Sequence, residues 1–473
     1  MISYPGELTD SNICNIFRDA NDFIRRELRC GGCTLYAYAI DGLVAAAYAS
    51  DYVIKPIAEG LRGESMDRLY KNAMDGIVYN VVADRCKDLN TVALKLVNGF
   101  CVVLFPGTGA IAFEVKTPDK RGTSAPDVEN TVKGAKDAFV ETVRSNTSYV
   151  RRHLRSPDLR LYETQIGKRS LTNVSVIWLE GVTNPVLVDR VKKRLSTIDI
   201  DGMLTPASVE EYLTGSRATA FPLLQYTERT DRFCSGILKG RVGVLVDGLP
   251  IGYLLPVDIG YLMNSPEDHS RDYISASWVR ILRYLALLGS LLLAAVYVAL
   301  TVYHTQLIPD VLLSIIEESR DGLPYSSAWE VIGLLLAFEL LQETGIHLPQ
   351  NIGQSVSIIG GIVLGTTAVE AGLISPMALI VVSVVGICGF VLPNRDLATA
   401  VRVCRFALAV VAAFAGLTGV AVGLLLLILH LGSLRSLDVP YLVLTEPSII
   451  RPRLKKNKKR DPKLDTRDDC KQK

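Results

Sequence analysis

From about residue 284 to 431 the chain is a string of long apolar segments that carry carboxylates, and few folds accept that combination. Tyr284 to Tyr303 is a run of twenty residues without a charge. Met377 to Leu392 is equally apolar, and Phe406 to Leu431 is a further uncharged run. About 20 apolar residues span the hydrocarbon core of a bilayer, so these segments are expected to be transmembrane helices. Glu330, Glu339 and Glu370 lie inside or at the edge of apolar stretches. A carboxylate in such a segment costs about 3 kcal/mol and as a rule faces a bundle interior or a water-filled path. An ion pathway is therefore the first functional expectation.

The spans are read at roughly 284–303, 325–342, 352–370, 376–392 and 406–431, with Leu307 to Ser319 too short and too polar to cross and better suited to the membrane interface. At 100° per residue Glu339 and Glu343 share a helix face, with Glu330 opposite them in the interfacial layer or at a separate contact. In the third span Gly353, Ser357, Gly361 and Gly365 recur every fourth position, a small-residue stripe suited to close helix packing. Gln354 and Glu370 add polar groups for which a pore or gate contact weighs as much as packing. Glu339, Glu343, Glu370 and Gln354 are thus the candidates for an ion path or gate. Rings of such side chains select cations, and one copy of these helices is too small to enclose a pore, so a channel requires oligomers.

Charge sets the orientation. Arg280 and Arg283 mark the inner end of the first span. The last 23 residues hold eleven Lys and Arg against four Asp, a cluster that favours the anionic cytoplasmic face. Five crossings would put that tail outside, so an even number is expected, with the glycine-rich 352–370 segment as the candidate irregular element. A reporter fused after residue 473 that reads extracytoplasmic would refute this.

The first part, without a visible signal peptide, is expected to stay in the cytosol as two α/β subdomains at 1–118 and 119–275, followed by an all-α multi-span domain at 276–441 and a basic tail at 442–473. Helices are expected at 12–28, 43–61, 136–154 and 185–194, and strands at 34–40, 110–115, 171–179 and 242–246. Asn98-Gly99 reads as a hairpin turn between strands 91–97 and 100–105. Residues 119–130 read as a polar linker. Nothing indicates catalysis. There is no phosphate-cradling glycine loop and no helical His-Glu-x-x-His, and the five histidines are dispersed. Cys30-Gly-Gly-Cys33 has no second Cys/His pair at zinc spacing. No cofactor, metal or nucleic acid is expected.

The segment from Gly353-Gln-Ser-Val-Ser-Ile-Ile-Gly-Gly-Ile-Val-Leu-Gly to Pro376 resembles the membrane signature of the GerA family of spore germination proteins. Tyr38-Ala-Ile-Asp-Gly-Leu-Val44, Gly167-Lys-Arg-Ser170, Thr227-Glu-Arg-Thr-Asp231, Asp247-Gly-Leu-Pro250 and Leu431-Gly-Ser-Leu-Arg-Ser-Leu-Asp-Val-Pro-Tyr441 extend the resemblance over about residues 30–450. Two places depart from the pattern: Ser124-Ala125-Pro126 stands where the family usually has Ser-Glu-Pro, and Glu267-Asp268-His269-Ser270 where a paired tyrosine usually follows Glu-Asp. The resemblance implies the membrane A subunit of a nutrient germinant receptor in the spore inner membrane, with a cytosolic N-terminal part; the charge pattern puts the C-terminus on the cytosolic side as well. It further implies B-type and C-type partner subunits and a homo-oligomeric, nutrient-gated channel for monovalent cations. The alternatives are a sporulation-stage homologue that amplifies the signal and a membrane-anchored scaffold without a pore.

Overall fold

The structure, a computed structural model, describes residues 4–30, 32–60, 65–78, 80–116, 126, 129, 134–202, 205–215, 219–347 and 365–443. The chain divides into two compact units. One takes in Met1–Gly215 and Leu224–Pro256, the other Ser216–Leu223 and Val257–Thr445.

The first unit is α/β and holds two antiparallel five-stranded sheets. In the first half, helix α1 (Asp10–Ile16) precedes strands β1 (Phe23–Cys30), β2 (Cys33–Ile40) and β3 (Ala83–Cys86), helix α2 (Leu89–Val97), and strands β4 (Phe100–Phe105) and β5 (Gly109–Glu114). The strands lie in the order β1-β2-β4-β5-β3. β4 is buried at all six positions because helices cover both faces of the sheet. Val102 and Leu104 pack with Ile13, Val92 and Leu96 of α1 and α2. Val103 and Phe105 pack with Val53, Ile57 and Leu69 on the other side. Each such side chain contributes about 1.5–3 kcal/mol by burial.

The second half continues with α3 (Val143–His153), β6 (Leu159–Ile166), β7 (Thr172–Leu179), α4 (Pro185–Ser196), β8 (Gln225–Thr227), α5 (Thr230–Leu238), β9 (Val242–Val246) and β10 (Gly252–Leu255). Its sheet order, β6-β7-β9-β10-β8, is that of the first sheet with every strand advanced by five. The nine-residue helices α2 and α5 hold equivalent places between the third and fourth strands. Each is followed two residues later by a glycine of positive φ, Gly99 and Gly240. The unit is a structural duplication that sequence reading missed. A buried ion pair joins the halves: Arg151 donates from Nε and Nη2 to both oxygens of Asp22, each at 2.7 Å.

Two expectations are corrected. Residues 12–28 are not one helix: the chain leaves α1 at Phe17 and forms β1, whose charged residues Arg25, Arg26 and Glu27 are exposed at the sheet edge. Residues 91–97 are helical rather than extended, with Asp88 accepting from the Thr91 N–H as N-cap. Asn98-Gly99 is thus a helix C-cap, where glycine takes the left-handed conformation.

The second unit is helical: α6 (Tyr273–Tyr303), α7 (Asp310–Glu318), α8 (Ser327–His347), α9 (Pro376–Phe390) and α10 (Arg395–Ser433). Among the described residues, α6 and α10 are long and apolar enough to cross a membrane. α10 is not one straight helix. Gly416 has φ 59°, ψ −146°, and the chain folds back there. A Cβ on Gly423 would lie 2.6 Å from Leu408 Cδ2, and one on Gly419 2.9 Å from the Val411 carbonyl. A straight helix would separate residues 408 and 423 by about 22 Å. Tyr303 closes the turn by donating its hydroxyl to the carbonyls of Ala413, at 2.9 Å, and Phe414, at 3.0 Å. The last span expected at 406–431 is therefore a helical hairpin. Its exit is fixed inside the same unit: Ser436 Oγ donates to the Leu223 carbonyl at 2.6 Å and accepts from the Val257 N–H at 3.1 Å.

Candidate functional site

The carboxylates of α8 are held at two levels. Near its start, Glu330 is 3% exposed. One of its oxygens accepts from the backbone N–H of Ser375 at 3.1 Å, and the other lies 3.6 Å from Arg320 Nε. Ser375 is the N-cap of α9: its side chain accepts from the Ala378 N–H, and Pro376 follows at the first helical position, where a missing N–H has no consequence. Glu330 thus adds an acceptor to the positive end of a helix.

About two and a half turns further on, Glu339 meets two guanidinium groups of α10. Arg405 Nη2 donates to one oxygen at 2.7 Å and Arg402 Nη1 to the other at 3.0 Å. Arg402 also donates to Gln342 Oε1. The Arg405 side chain is 2% exposed and Glu339 30%. Arg402 and Arg405 belong to the first arm of the hairpin and face α8. With both carboxylate oxygens engaged by cations, Glu339 clamps two helices, and a permeating cation would have to displace a guanidinium to reach it.

The structure separates the remaining candidates. Glu343, one turn beyond Glu339, and Glu370, at the end of a helical segment 365–370, are both exposed. Gly365 is buried, with a Cβ there meeting Leu379 at 3.4 Å. Gln354, Gly353, Ser357 and Gly361 lie outside the described residues. Sequence reading missed Arg320, Ser375 and Tyr297 around Glu330, because none is local to it. The opposite charges of Arg402 and Arg405 were the available signal for the Glu339 clamp.

A third ion pair lies at the entry to α6. Arg283, expected at the inner end of the first span, donates to both oxygens of Asp268, at 2.5 and 2.8 Å, and to the Met263 carbonyl at 3.2 Å. Burial works to push the Asp268 carboxyl up, but hydrogen bonds from Arg283 and from the Ser265 N–H hold it below its ordinary value. This pair sits within the Glu267-Asp268-His269-Ser270 departure. Among the described residues no group of His, Cys, Asp or Glu is arranged to hold a metal ion.

The family model described as Bacillus/Clostridium GerA spore germination protein matches residues 11–463. The membrane protein YfkQ of Bacillus subtilis strain 168, itself uncharacterised, is 32% identical over 434 residues, 91% of this chain and 84% of its own length. Spore germination protein A1 of the same organism is 33% identical over 387 residues, 79% of this chain and 80% of its own. The crystal structure of the N-terminal domain of the A subunit of the Bacillus megaterium spore germinant receptor GerK3 aligns at 24% identity and a TM-score of 0.41, over 54% of this chain and 96% of that one.

Proposed function

This chain belongs to the GerA family of spore germination proteins, and from that premise we propose that it is the membrane subunit of a nutrient germinant receptor. In this reading it gathers into a homo-oligomer in the spore inner membrane, works with B-type and C-type partner subunits, and conducts monovalent cations when nutrient binds. The observation that carries the reading is the match over residues 11–463, which runs through both the α/β unit and the helical unit.

The geometry of the helical unit supports a multi-pass arrangement with both termini on the cytosolic side. Ser290 and Arg405 meet at Gly389, and Tyr303 meets Ala413, so α6 and the first arm of α10 run the same way. α8 and α9 run the opposite way, side by side, with Glu330 beside Ser375 and Phe338 against Gly386. The second arm of α10 reverses at Gly416, so the single span expected at 406–431 counts twice. The five expected spans then become six, an even number, as the basic tail requires. The arms of α10, 21 and 17 residues by subtraction at Gly416, are about 31 and 25 Å long, near the thickness of a bilayer core.

Glu343 and Glu370, exposed on the protomer, are the acids this reading places along the path, while Glu339 holds the bundle together. The test is potassium and sodium flux from liposomes carrying the purified full-length oligomer. Glu343→Gln and Glu370→Gln are each expected to leave the oligomer intact and lower flux several-fold. Flux unaffected by either substitution would remove the assigned path, and the absence of flux with nutrient and all partner subunits present would overturn the channel.

A further inference from the structure

In the helical unit the buried atoms Glu330 Oε1, Arg320 Nε and Ser327 Oγ have no hydrogen-bond partner in the protein, and the Tyr297 hydroxyl has only a loose contact with the Ser375 side chain. They come from separate parts of the chain. Tyr297 projects from α6, Arg320 lies just beyond α7, and Ser327 and Glu330 are one turn apart on α8. Glu330 Oε1 and Arg320 Nε stand 3.6 Å apart, too far for a direct hydrogen bond. Tyr297 meets Ser375 side chain to side chain and lies within electrostatic reach of Glu330 and Arg320, which leaves its O–H free to donate elsewhere. Ser327 is 1% exposed, Glu330 3% and Tyr297 9%, so bulk water does not reach these atoms. An unpaired buried polar group costs about 1–3 kcal/mol, and a charged one more. Glu330 Oε1 and Arg320 Nε, both buried, without a hydrogen bond and 3.6 Å apart, point to a shared partner.

We propose that this is an internal hydration site. One ordered water accepts from Arg320 Nε–H and Tyr297 O–H and donates to Glu330 Oε1 and Ser327 Oγ. The donor and acceptor inventory selects water over a metal cation. A water brings two donors and two lone pairs, which match this set, and buried waters characteristically bond about three otherwise unsatisfied groups. A cation would find a carboxylate and two hydroxyls, but also the guanidinium charge 3.6 Å from the same oxygen. Through this water the first turn of α8, α6 and the segment after α7 are joined, beside the N-terminus of α9 that Glu330 contacts directly. Arg320, with 26% of its side chain exposed, is the member through which water exchanges. The site does not depend on the channel reading.

The test uses the full-length protein in lipid nanodiscs and X-ray radiolytic footprinting in ¹⁸O-labelled water, which oxidises side chains next to held water even where bulk solvent is excluded. Tyr297 is expected to be oxidised several-fold faster than Tyr38, which is fully buried with its hydroxyl on Asp10. Ser327→Ala, a small change that keeps the fold, is expected to lower that rate several-fold and leave exposed Tyr325 unchanged. Equal rates at Tyr297 and Tyr38 would overturn the proposal, as would labelling at Tyr297 that disappears on adding potassium or sodium chloride. As a second reading, Tyr297→Phe and Ser327→Ala, which share no direct hydrogen bond, are expected to lower the unfolding midpoint together by less than the sum of their separate shifts. Additive shifts count against a shared water.

Discussion

Replacing Glu339 by Gln tests whether the most engaged carboxylate of the helical unit holds the bundle or serves transport. Its partner Arg405 has 2% of its side chain exposed and lies 2.7 Å from Glu339 Oε1. Removing one member of a buried pair leaves the other charged and unpaired, at about 3–5 kcal/mol. Glu339 itself is 30% exposed, so part of that charge is relieved by solvent, and Gln retains one acceptor. The expected loss is therefore at the lower end, about 3 kcal/mol, or roughly a hundredfold in the folding equilibrium. Arg405→Met alone leaves Glu339 with Arg402 at 3.0 Å and is expected to lose about 1 kcal/mol. The double variant Glu339→Gln/Arg405→Met removes the uncompensated charge and is expected to recover most of the loss, since buried pairs are often replaceable by apolar groups at little net cost. Denaturant unfolding of the full-length protein in mild detergent measures all three. An unfolding midpoint unchanged in Glu339→Gln, or a double variant as unstable as the sum of the singles, would refute the clamp and return Glu339 to the ion path.

Gly416→Ala places a Cβ 2.9 Å from His304 Cε1 in a backbone conformation that only glycine adopts readily. It is expected to destabilise by about 1–3 kcal/mol and to expose the 413–418 turn to added protease; a variant as resistant as the parent would show that the hairpin does not depend on this residue. Asp22→Asn leaves Arg151, 1% exposed, without its carboxylate and is expected to cost the duplicated unit about 3 kcal/mol, seen as faster hydrogen exchange in both β1 and β6; exchange confined to one half would mean that the pair does not couple them. His153 and Asp137 lie 2.5 Å apart at the start of the second sheet. The hydrogen bond between them raises His153 above its ordinary 6.5 and lowers Asp137 from 3.8 to about 2. Stability from the raised His is complete below pH 6.5 and lost as pH climbs through its folded value, while that from the lowered Asp is complete above 3.8 and lost as pH falls through about 2. Protection of residues 137–153 is thus expected to be greatest between these limits and to fall above them, and a pH profile that His153→Gln leaves unaltered would discard the pair as its source.

What could be read from the chain beforehand was local, and what could not was set by distant residues. β2 was legible because Leu35 and Ala37 enter the core on one side of the sheet, Tyr38 and Ile40 the core on the other, and Asp41-Gly42 stops the strand. β1 was not, because its outward charged residues mask any alternation at a sheet edge. The dipeptide Asn98-Gly99 serves a hairpin and a helix C-cap equally well, and β-branched Thr91, Val92 and Val97 point to strand until the packing of Val92 and Leu96 under the sheet decides for helix. The duplication leaves little more in the sequence than a glycine two residues past each of α2 and α5. The acids of α8 were visible, but the partners that separate them are not neighbours: Arg405 is 66 positions from Glu339 and Ser375 is 45 from Glu330. The turn at Gly416 is the plainest case. Nothing in Ala415-Gly416-Leu417 marks a reversal within an uncharged run, and the groups that stabilise it, Tyr303 and His304, stand at the end of α6. A charge argument could demand an even number of crossings without saying where the chain turns. The glycine that turns it was hidden because its neighbours are apolar on both sides, while the stripe at 352–370 drew attention through the recurrence of small residues at every fourth position.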